Sequence, residues 1–168
     1  MAREGASGPA FGGSKSTVGF TAVNGLVLPV ELVRALFDGR WIKLGSSSPL
    51  AGVFGSEPVK PRFHSLKDMV AINGYWENET DPLYIGQPNP SRYPGDIDPK
   101  KSLIIAELGP DQLIALDYRA AAGPQVVFAS GDVRSPWRLV FESIESLLLS
   151  LAPDEGGPYF RGGMESLP

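Results

Sequence analysis

The chain has 168 residues, a net charge of −4 and no cysteine, and this composition excludes several classes of site and of function. Disulfides, thiolate metal sites and cysteine nucleophiles are ruled out, and nucleic-acid-binding proteins usually carry a basic patch that is not visible here. The longest dense apolar run, at 147–151, is too short to cross a bilayer, and the first residues lack the apolar core of a secretory signal. We therefore expect one cytoplasmic domain with no membrane contact.

Both ends of the chain are rich in glycine and proline. Residues 1–18 mix Gly, Ser and Pro with scattered charges, and residues 152–168 have a similar character. Segments of this composition bury too little apolar surface to fold. The sequence therefore predicts a disordered tail at 1–18, a folded domain at 19–151 and a flexible tail at 152–168.

The first predicted element is a helix over residues 29–38. Proline suits its first position, because the missing N–H has no partner within the helix there, and Gly39 provides a C-terminal stop. Its apolar stripe is expected to face the core. The stripe consists of Leu32, Val33, Leu36 and Phe37. We then expect a short strand or turn at 41–44, and a turn-rich stretch at 45–61 with an apolar island at 53–54.

A second helix is predicted to begin after Ser65. The side chain of Ser65 can cap it, and Asp68 three residues on completes a capping-box pattern. The residues expected to face inward are Leu66, Met69 and Val70. An Asn-Gly pair at 73–74 is expected to end this helix.

Residues 74–99 form a long polar segment rich in proline and acidic residues. A short strand is expected at 83–85, and the rest is expected to be loop. A loop of this length in a small domain is usually either functional or mobile.

The stretch 103–151 carries the strongest structural signals. Residues 103–108 form a largely apolar strand, expected to be central and covered on both faces. Three further strands are predicted at 113–118, 125–129 and 137–141, and their short connections require antiparallel pairing. Ser143 can cap a final amphipathic helix that ends at Leu151. The fold class is therefore α+β, a mainly antiparallel sheet with a meander at 103–141 and helices packed against it.

The strongest functional candidate is the acidic, aromatic part of the long segment, where five carboxylates accompany a single arginine between residues 77 and 98. Aromatic side chains supply contact area and carboxylates supply steering and specificity, which are the needs of a binding face. The alternative is a solvated loop whose aromatic rings pack into the core. The predicted partner-binding residues are Trp76, Glu77, Glu79, Asp81, Tyr84, Tyr93, Asp96 and Asp98.

Catalytic and metal-binding patterns are weak by comparison. His64 is the only histidine, so any catalytic triad or proton shuttle would depend on it. Its position just before the second helix also fits an ordinary boundary residue. The carboxylates lack the spacing of an EF-hand loop. We therefore expect no enzymatic activity, no bound metal and no cofactor.

Asp117 and Arg119 fall on the same face at the end of one predicted strand. An ion pair or hydrogen bond that locks the following turn is the favoured interpretation, with a functional pair as the alternative. Trp137 begins the last strand, where a large aromatic residue favours packing.

In order and spacing, these segments resemble the SUKH superfamily, in particular its branch named after the yeast cell-wall-assembly regulator, the Smi/Knr-like domains. The likeness covers residues 26–151 and includes the run LIIAELGPDQLIALDYR, the P-x-V-V-F strand and the S-x-E-S-L-L helix. The matching positions are Leu28, Pro29, Leu32, Gly109, Leu116, Asp117, Tyr118, Arg119, Pro124, Val126, Val127, Trp137, Ser143, Leu147 and Leu148.

The resemblance implies an α+β domain without a catalytic centre. Many bacterial members of that superfamily look like immunity proteins that bind and neutralise a secreted toxin domain, often a nuclease, whereas eukaryotic relatives regulate by protein contact. It also implies that Asp117, Tyr118, Arg119 and Trp137 maintain the fold. We therefore expect a protein partner, with no nucleic-acid or membrane partner. A regulatory or scaffolding module without a toxin partner is the alternative.

Overall fold

A six-stranded antiparallel sheet lies at the centre of the fold, with most of the helices on one face and a covering segment, residues 76–98, on the other. The computed structural model describes residues 20–47, 49–131 and 134–152. The strands are β1 (Ala22–Val23), β2 (Leu26–Val27), β3 (Arg62–Phe63), β4 (Pro94–Gly95), β5 (Ser102–Gly109), β6 (Gln112–Asp117), β7 (Gln125–Ala129) and β8 (Trp137–Phe141). The helices are α1 (Val30–Phe37), α2 (Arg40–Lys43), α3 (Leu50–Phe54), α4 (Leu66–Trp76), α5 (Pro82–Ile85) and α6 (Ile144–Leu151). The predicted α+β class is confirmed.

The meander of β5, β6, β7 and β8 matches the prediction closely. The bounds of β7, β8 and α6 are those expected, and β5 and β6 differ by one residue at each end. The strand order of the sheet is β3-β5-β6-β7-β8-β4, so two short strands from earlier in the chain flank the meander. Almost every residue of β5 is buried, as expected for a strand covered on both faces.

The larger core cluster lies on one face of the sheet, where strand residues such as Ile105 and Phe128 meet the helices. Two side chains predicted to face inward do not, since Phe37 is 78 % exposed and Val70 is 53 % exposed. Both lie at the edge of their stripes. At about 100° per residue, Phe37 is turned roughly 140° from the fully buried Leu32 around the helix. The buried stripes are therefore narrower than the sequence pattern implied.

The opposite face of the sheet is covered by residues 76–98, which the sequence presented mostly as loop. Trp76 and Ile97 pack there against Ile104, Val127 and Trp137 in a second, smaller cluster. This segment contains the cis peptide bond between Tyr93 and Pro94. The long segment 76–98 therefore completes the core on the second face of the sheet.

Several local predictions are wrong. Residues 83–85 belong to the short helix α5 and not to a strand, residues 41–44 lie mainly in helix α2, and the apolar island at 53–54 lies in helix α3. Helix α4 continues past the Asn-Gly pair at 73–74 to Trp76. Short helices depend on tertiary packing for stability, and buried Trp41, Phe54 and Trp76 provide it here.

A tight hairpin of β1 and β2 precedes α1 and was not predicted. Asn24 and Gly25 both have positive φ angles, 49° and 76°, the conformation that favours Asn-Gly in two-residue hairpin turns. The Asn24 side chain donates a hydrogen bond to the main-chain oxygen of Asn73 at 2.7 Å, and the Tyr118 hydroxyl donates one to that of Val27 at 2.8 Å. The hairpin is thus attached to both α4 and the end of β6.

Within the described ranges, no helix has the length and apolar character needed to cross a membrane. The predicted tails, apart from Ala152, lie outside those ranges.

Candidate protein-binding surface

Trp76, the largest residue of the predicted binding face, is buried. It is 7 % exposed, its indole N–H donates to the Ser102 hydroxyl at 2.9 Å, and its ring meets Trp137 edge to face at 6.0 Å between centroids. An indole that is packed and hydrogen-bonded in this way belongs to the core. Trp76 is therefore a core residue and is not exposed to a partner.

Asp96 and Asp98 are engaged within the fold. Asp96 accepts a hydrogen bond from Arg119 Nη1 at 3.0 Å through its carboxylate, and its main-chain oxygen accepts one from Arg119 Nη2 at 2.8 Å. Asp98 caps the 3₁₀ turn Pro99–Lys101 by accepting from the Lys100 amide at 3.0 Å. Both carboxylates position the covering segment, and Asp96 is in addition paired with the Arg119 guanidinium.

The predicted pairing of Asp117 with Arg119 is confirmed. Asp117 is only 4 % exposed, and the Arg119 guanidinium contacts it through Nε and through Nη2, the latter at 2.7 Å. The Asp117 carboxylate also accepts from the Arg119 amide at 3.0 Å. These hydrogen bonds raise the pKa of Arg119 above its ordinary value, with a further contribution from Asp96. One arginine therefore links the end of β6 to the covering segment.

Tyr93 and Glu77 have separate environments. Tyr93 is 57 % exposed beside β8, and its main-chain oxygen accepts a hydrogen bond from the Leu139 amide at 2.8 Å. Glu77 is half-buried at the C-terminal end of α4. Among the described residues, neither side chain is hydrogen-bonded to Tyr84 or to Asp111, which bond to each other.

Of the remaining three residues of the predicted face, Tyr84 lines a cleft that we call the Tyr84 cleft. Glu79 and Asp81 precede Tyr84 in the chain, and their charges act on the Tyr84 phenol. The cleft has a volume of about 170 Å³. Its lining is mostly apolar, and its walls come from α5, from the β5–β6 turn, from β6 and from the chain between β7 and β8. The lining residues are Leu83, Tyr84, Asp111, Leu113, Ala129, Gly131, Pro136 and Trp137.

Local sequence explains how the α5 wall of the cleft is built. Asp81 caps α5 by accepting from the Leu83 amide at 2.9 Å, and Pro82 occupies the first turn. Glu79 accepts from the amides of Thr80 and Asp81, each at 2.8 Å. The helix is then fixed to the sheet by Trp137.

That attachment is a partly buried hydrogen bond. The Trp137 indole N–H donates to the main-chain oxygen of Tyr84 at 2.6 Å. Gly86 follows α5 with a φ of 76°, and a Cβ atom there would lie 2.6 Å from Cδ of Pro136. Only glycine therefore allows the chain to leave α5 so close to the cleft wall.

Asp111 completes the cleft from the β5–β6 turn, at a φ of 58°. The Tyr84 hydroxyl donates a hydrogen bond to Asp111 Oδ1 at 3.1 Å, which joins two walls of the cleft. This bond raises the pKa of Tyr84, and the negative charges of Asp81 and Glu79 act in the same direction. Three carboxylates therefore contribute to a negative potential at this phenol.

None of these three carboxylates is in an ion pair within the described part of the chain. By contrast, Asp96 and Asp117 are neutralised by Arg119. Among the described residues of the acidic segment, Glu79 and Asp81 therefore keep an uncompensated charge, and Asp111 adds a third such carboxylate from the β5–β6 turn.

His64 lies away from this surface, between β3 and α4. Its side chain is 3 % exposed, Nε2 has no hydrogen-bond partner, and its amide donates to the Ile105 main-chain oxygen at 3.0 Å. Burial lowers the pKa of His64, while the carboxylates of Glu107 and Asp68 oppose that shift. Among the described residues, no cluster of three or more His, Asp or Glu side chains is placed to hold a metal ion.

Sequence reasoning missed Asp111 and the apolar lining of the cleft. The short connection expected between the strands at 103–108 and 113–118 is the turn between β5 and β6, but nothing local connects Asp111 with Tyr84, 27 residues earlier. The local sequence offers only a Pro-Asp pair, which is typical of a turn, and the positive φ of Asp111 is seen only in the structure.

Comparison with protein-family models, with curated proteins and with solved structures found no match for this chain. Its function is therefore inferred from its residues and its fold.

Proposed function

We propose that this chain is a non-catalytic protein-binding domain of SUKH type, an immunity protein that binds a toxin domain and neutralises it by occlusion. The partner is a basic protein, and a nuclease or another enzyme acting on nucleic acid fits that description. The chain works in the cytoplasm in this proposal.

One observation carries the proposal. The lining of a mostly apolar cleft includes Asp111, and the negative charges of Asp81 and Glu79 act on the Tyr84 phenol in the same cleft. None of these three carboxylates has a cationic partner within the described residues. Stable protein interfaces combine an apolar centre with a polar rim of complementary charge. The sequence pattern that resembles SUKH domains supplies the second line of support.

The proposed occlusion of the partner's active site depends on a surface that is formed before binding and on the negative charge of that surface. The covering segment is held by the Trp137 bond to Tyr84 and by Arg119, so its surface is formed before the partner arrives. A negative surface accelerates association with a basic one, and nucleic-acid enzymes have basic active-site clefts. Covering such a cleft excludes its substrate, and the immunity domain performs no chemistry.

The test begins with the immobilised chain and native cell lysate. Proteins retained by the wild type are identified by mass spectrometry, and each is expressed in growing cells with and without this chain. We expect a basic protein that arrests growth alone and is tolerated when both are produced.

The Glu79→Gln/Asp81→Asn double variant tests the surface. Both amides keep acceptor oxygens for the local hydrogen bonds while removing two charges. The matched control is Glu31→Gln/Glu145→Gln, which removes two charges from α1 and α6 on the other face of the sheet. Only the first variant should slow association and flatten its salt dependence.

Three outcomes would contradict parts of the proposal. Equal kinetics for both double variants would place the interface elsewhere. A captured partner that is harmless to cells would favour the regulatory or scaffolding alternative. Capture of no specific partner would contradict protein binding altogether.

A further inference from the structure

The Tyr84 cleft has the size of a side-chain pocket. Its volume of about 170 Å³ is below the roughly 300–1,000 Å³ of pockets that hold cofactors and drug-sized ligands. Interfaces commonly concentrate binding energy in one large side chain that fills such a pocket. A single anchor residue of a partner is therefore the occupant that fits this space.

We propose that the Tyr84 cleft receives one arginine side chain of the partner protein, an inference that rests on the proposed function. The apolar stem of that arginine packs against Leu83, Leu113 and Pro136. Its guanidinium group lies against the ring of Tyr84 and is hydrogen-bonded by the carboxylate of Asp111.

The charge of the cleft favours a cation over an apolar anchor. Asp111 uses one oxygen to accept the Tyr84 hydroxyl, and a carboxylate has about four acceptor positions. An aliphatic or phenyl side chain would remove water from the remaining positions without replacing its hydrogen bonds, which is costly. The N–H groups of a cationic side chain donate hydrogen bonds that replace those of the displaced water.

The aromatic wall favours arginine over lysine. A guanidinium group is planar, stacks on aromatic rings and binds a carboxylate with two parallel hydrogen bonds, whereas an ammonium group is a compact, strongly hydrated charge. Tyr84 is 37 % exposed and joined to Asp111, so a ring and a carboxylate are available side by side. This arrangement favours the planar guanidinium group of arginine.

The hydrogen bond between Tyr84 and Asp111 also holds the pocket ready. It connects α5 with the β5–β6 turn, and the turn itself is stabilised by pairing of β5 with β6. A pocket formed before binding loses less conformational entropy when the anchor enters.

The experiment titrates the ¹⁵N-labelled protein with acetyl-arginine amide and follows the amide resonances by NMR. The comparison ligands are acetyl-citrulline amide, which has nearly the same shape without charge, and acetyl-lysine amide. We expect saturable shifts centred on Leu83, Tyr84, Asp111 and Leu113. Binding of the citrulline and lysine compounds should be weaker by about threefold or more.

Asp111→Asn is the decisive variant. Asparagine tolerates the positive φ at this position and keeps an acceptor for Tyr84 while removing the charge. It should weaken arginine amide binding by about threefold or more. Glu145→Gln on α6, the matched control, should leave it unchanged. Shifts scattered over the surface, equal shifts with the citrulline compound, or no effect of Asp111→Asn would overturn the inference.

Binding of the wild type and of Asp111→Asn to the captured partner distinguishes failure of this inference from failure of the proposed function. If Asp111→Asn binds that partner as tightly as the wild type does, the arginine pocket is wrong and the function stands. If no partner is captured but arginine amide binds in an Asp111-dependent way, the pocket stands and the function is wrong.

Discussion

The side chain of Asn73 provides Ile104 with the two backbone hydrogen bonds that a neighbouring strand would otherwise supply. Its Oδ1 accepts from the Ile104 amide at 2.7 Å, and its Nδ2 donates to the Ile104 main-chain oxygen at 2.9 Å. Nδ2 also donates to the Met69 main-chain oxygen at 2.8 Å. Since β3 ends at Phe63, this helix side chain completes the edge of β5 where no strand continues.

Replacing Asn73 should therefore be costly. Asn73→Ala leaves the N–H and C=O groups of Ile104 buried without partners, at about 1–3 kcal/mol each. We expect a total loss of about 2–6 kcal/mol in the free energy of unfolding, measured by urea denaturation. Asn73→Leu fills the space without restoring the bonds and should lose a similar amount.

Asn78→Ala is the matched control, because Asn78 is exposed near the end of α4. Its effect should stay within about 0.5 kcal/mol. Equal effects of Asn73→Ala and Asn78→Ala would show that the bonds to Ile104 contribute little.

His64 should make stability depend on pH. Burial lowers its pKa in the folded protein, so below about pH 6.5 the unfolded chain binds a proton that the folded protein does not. The free energy of unfolding should be highest above that pH and fall as pH decreases, by at most about 1.4 kcal/mol per pH unit. Urea denaturation between about pH 5 and 7 measures this slope, since carboxylates titrate mainly below that range.

His64→Gln is the comparison for that slope. His64 is the only histidine in the chain, so the pH dependence in this range should largely disappear in the variant. A slope that persists in His64→Gln would assign it to another group.

Arg119→Ala should destabilise the fold more than loss of an exposed arginine does. It leaves the nearly buried carboxylate of Asp117 without its cationic partner and releases Asp96. We expect a loss of about 2–3 kcal/mol at neutral pH, measured by urea denaturation, with faster hydrogen exchange at the Ile97 amide in the covering segment.

Arg40→Ala is the control for this prediction. Arg40 pairs with Asp38 on the surface at 2.6 Å, with both side chains well exposed, and such pairs contribute little. A loss as large as that of Arg119→Ala would contradict the importance of burial.

Gly86→Ala should destabilise the wall of the Tyr84 cleft. The new Cβ would meet Pro136 at 2.6 Å, and the φ of 76° is unfavourable for alanine. We expect a loss of more than about 2 kcal/mol in thermal or urea unfolding. Gly74→Ala, in open space within α4, should instead gain about 0.5–1 kcal/mol; a tolerated Gly86→Ala would mean that the chain after α5 adapts.

Much of the scaffold was predictable because its signals are local. The strand at 125–129, the strand at 137–141 and the helix capped by Ser143 have the expected bounds. Apolar periodicity and capping residues lie within a few positions of the elements that they define. Val70 and Phe37 are exposed although they belong to the predicted apolar stripes. The sequence pattern indicates the direction of an apolar stripe but not its width.

The candidate site was predictable only in part. Glu79, Asp81 and Tyr84 are neighbours in sequence, and in the structure Tyr84 lines the cleft while the charges of the two carboxylates act on its phenol. Trp76 and Asp96 belong to the same acidic, aromatic segment, yet their partners are Ser102 and Arg119, 26 and 23 residues away. Composition cannot separate a carboxylate that is paired inside the fold from one that is free at the surface.

The α+β class, the antiparallel meander and the acidic character of residues 77–98 follow from hydrophobic pattern and charge, which are properties of the residues themselves. The exposure of each of those residues, the contact of Asp111 with Tyr84 and the bonds of Asn73 to Ile104 arise only when the chain folds. These outcomes depend on contacts between distant parts of the chain. The free energy of burying a polar group is determined by the partner that the fold places beside it.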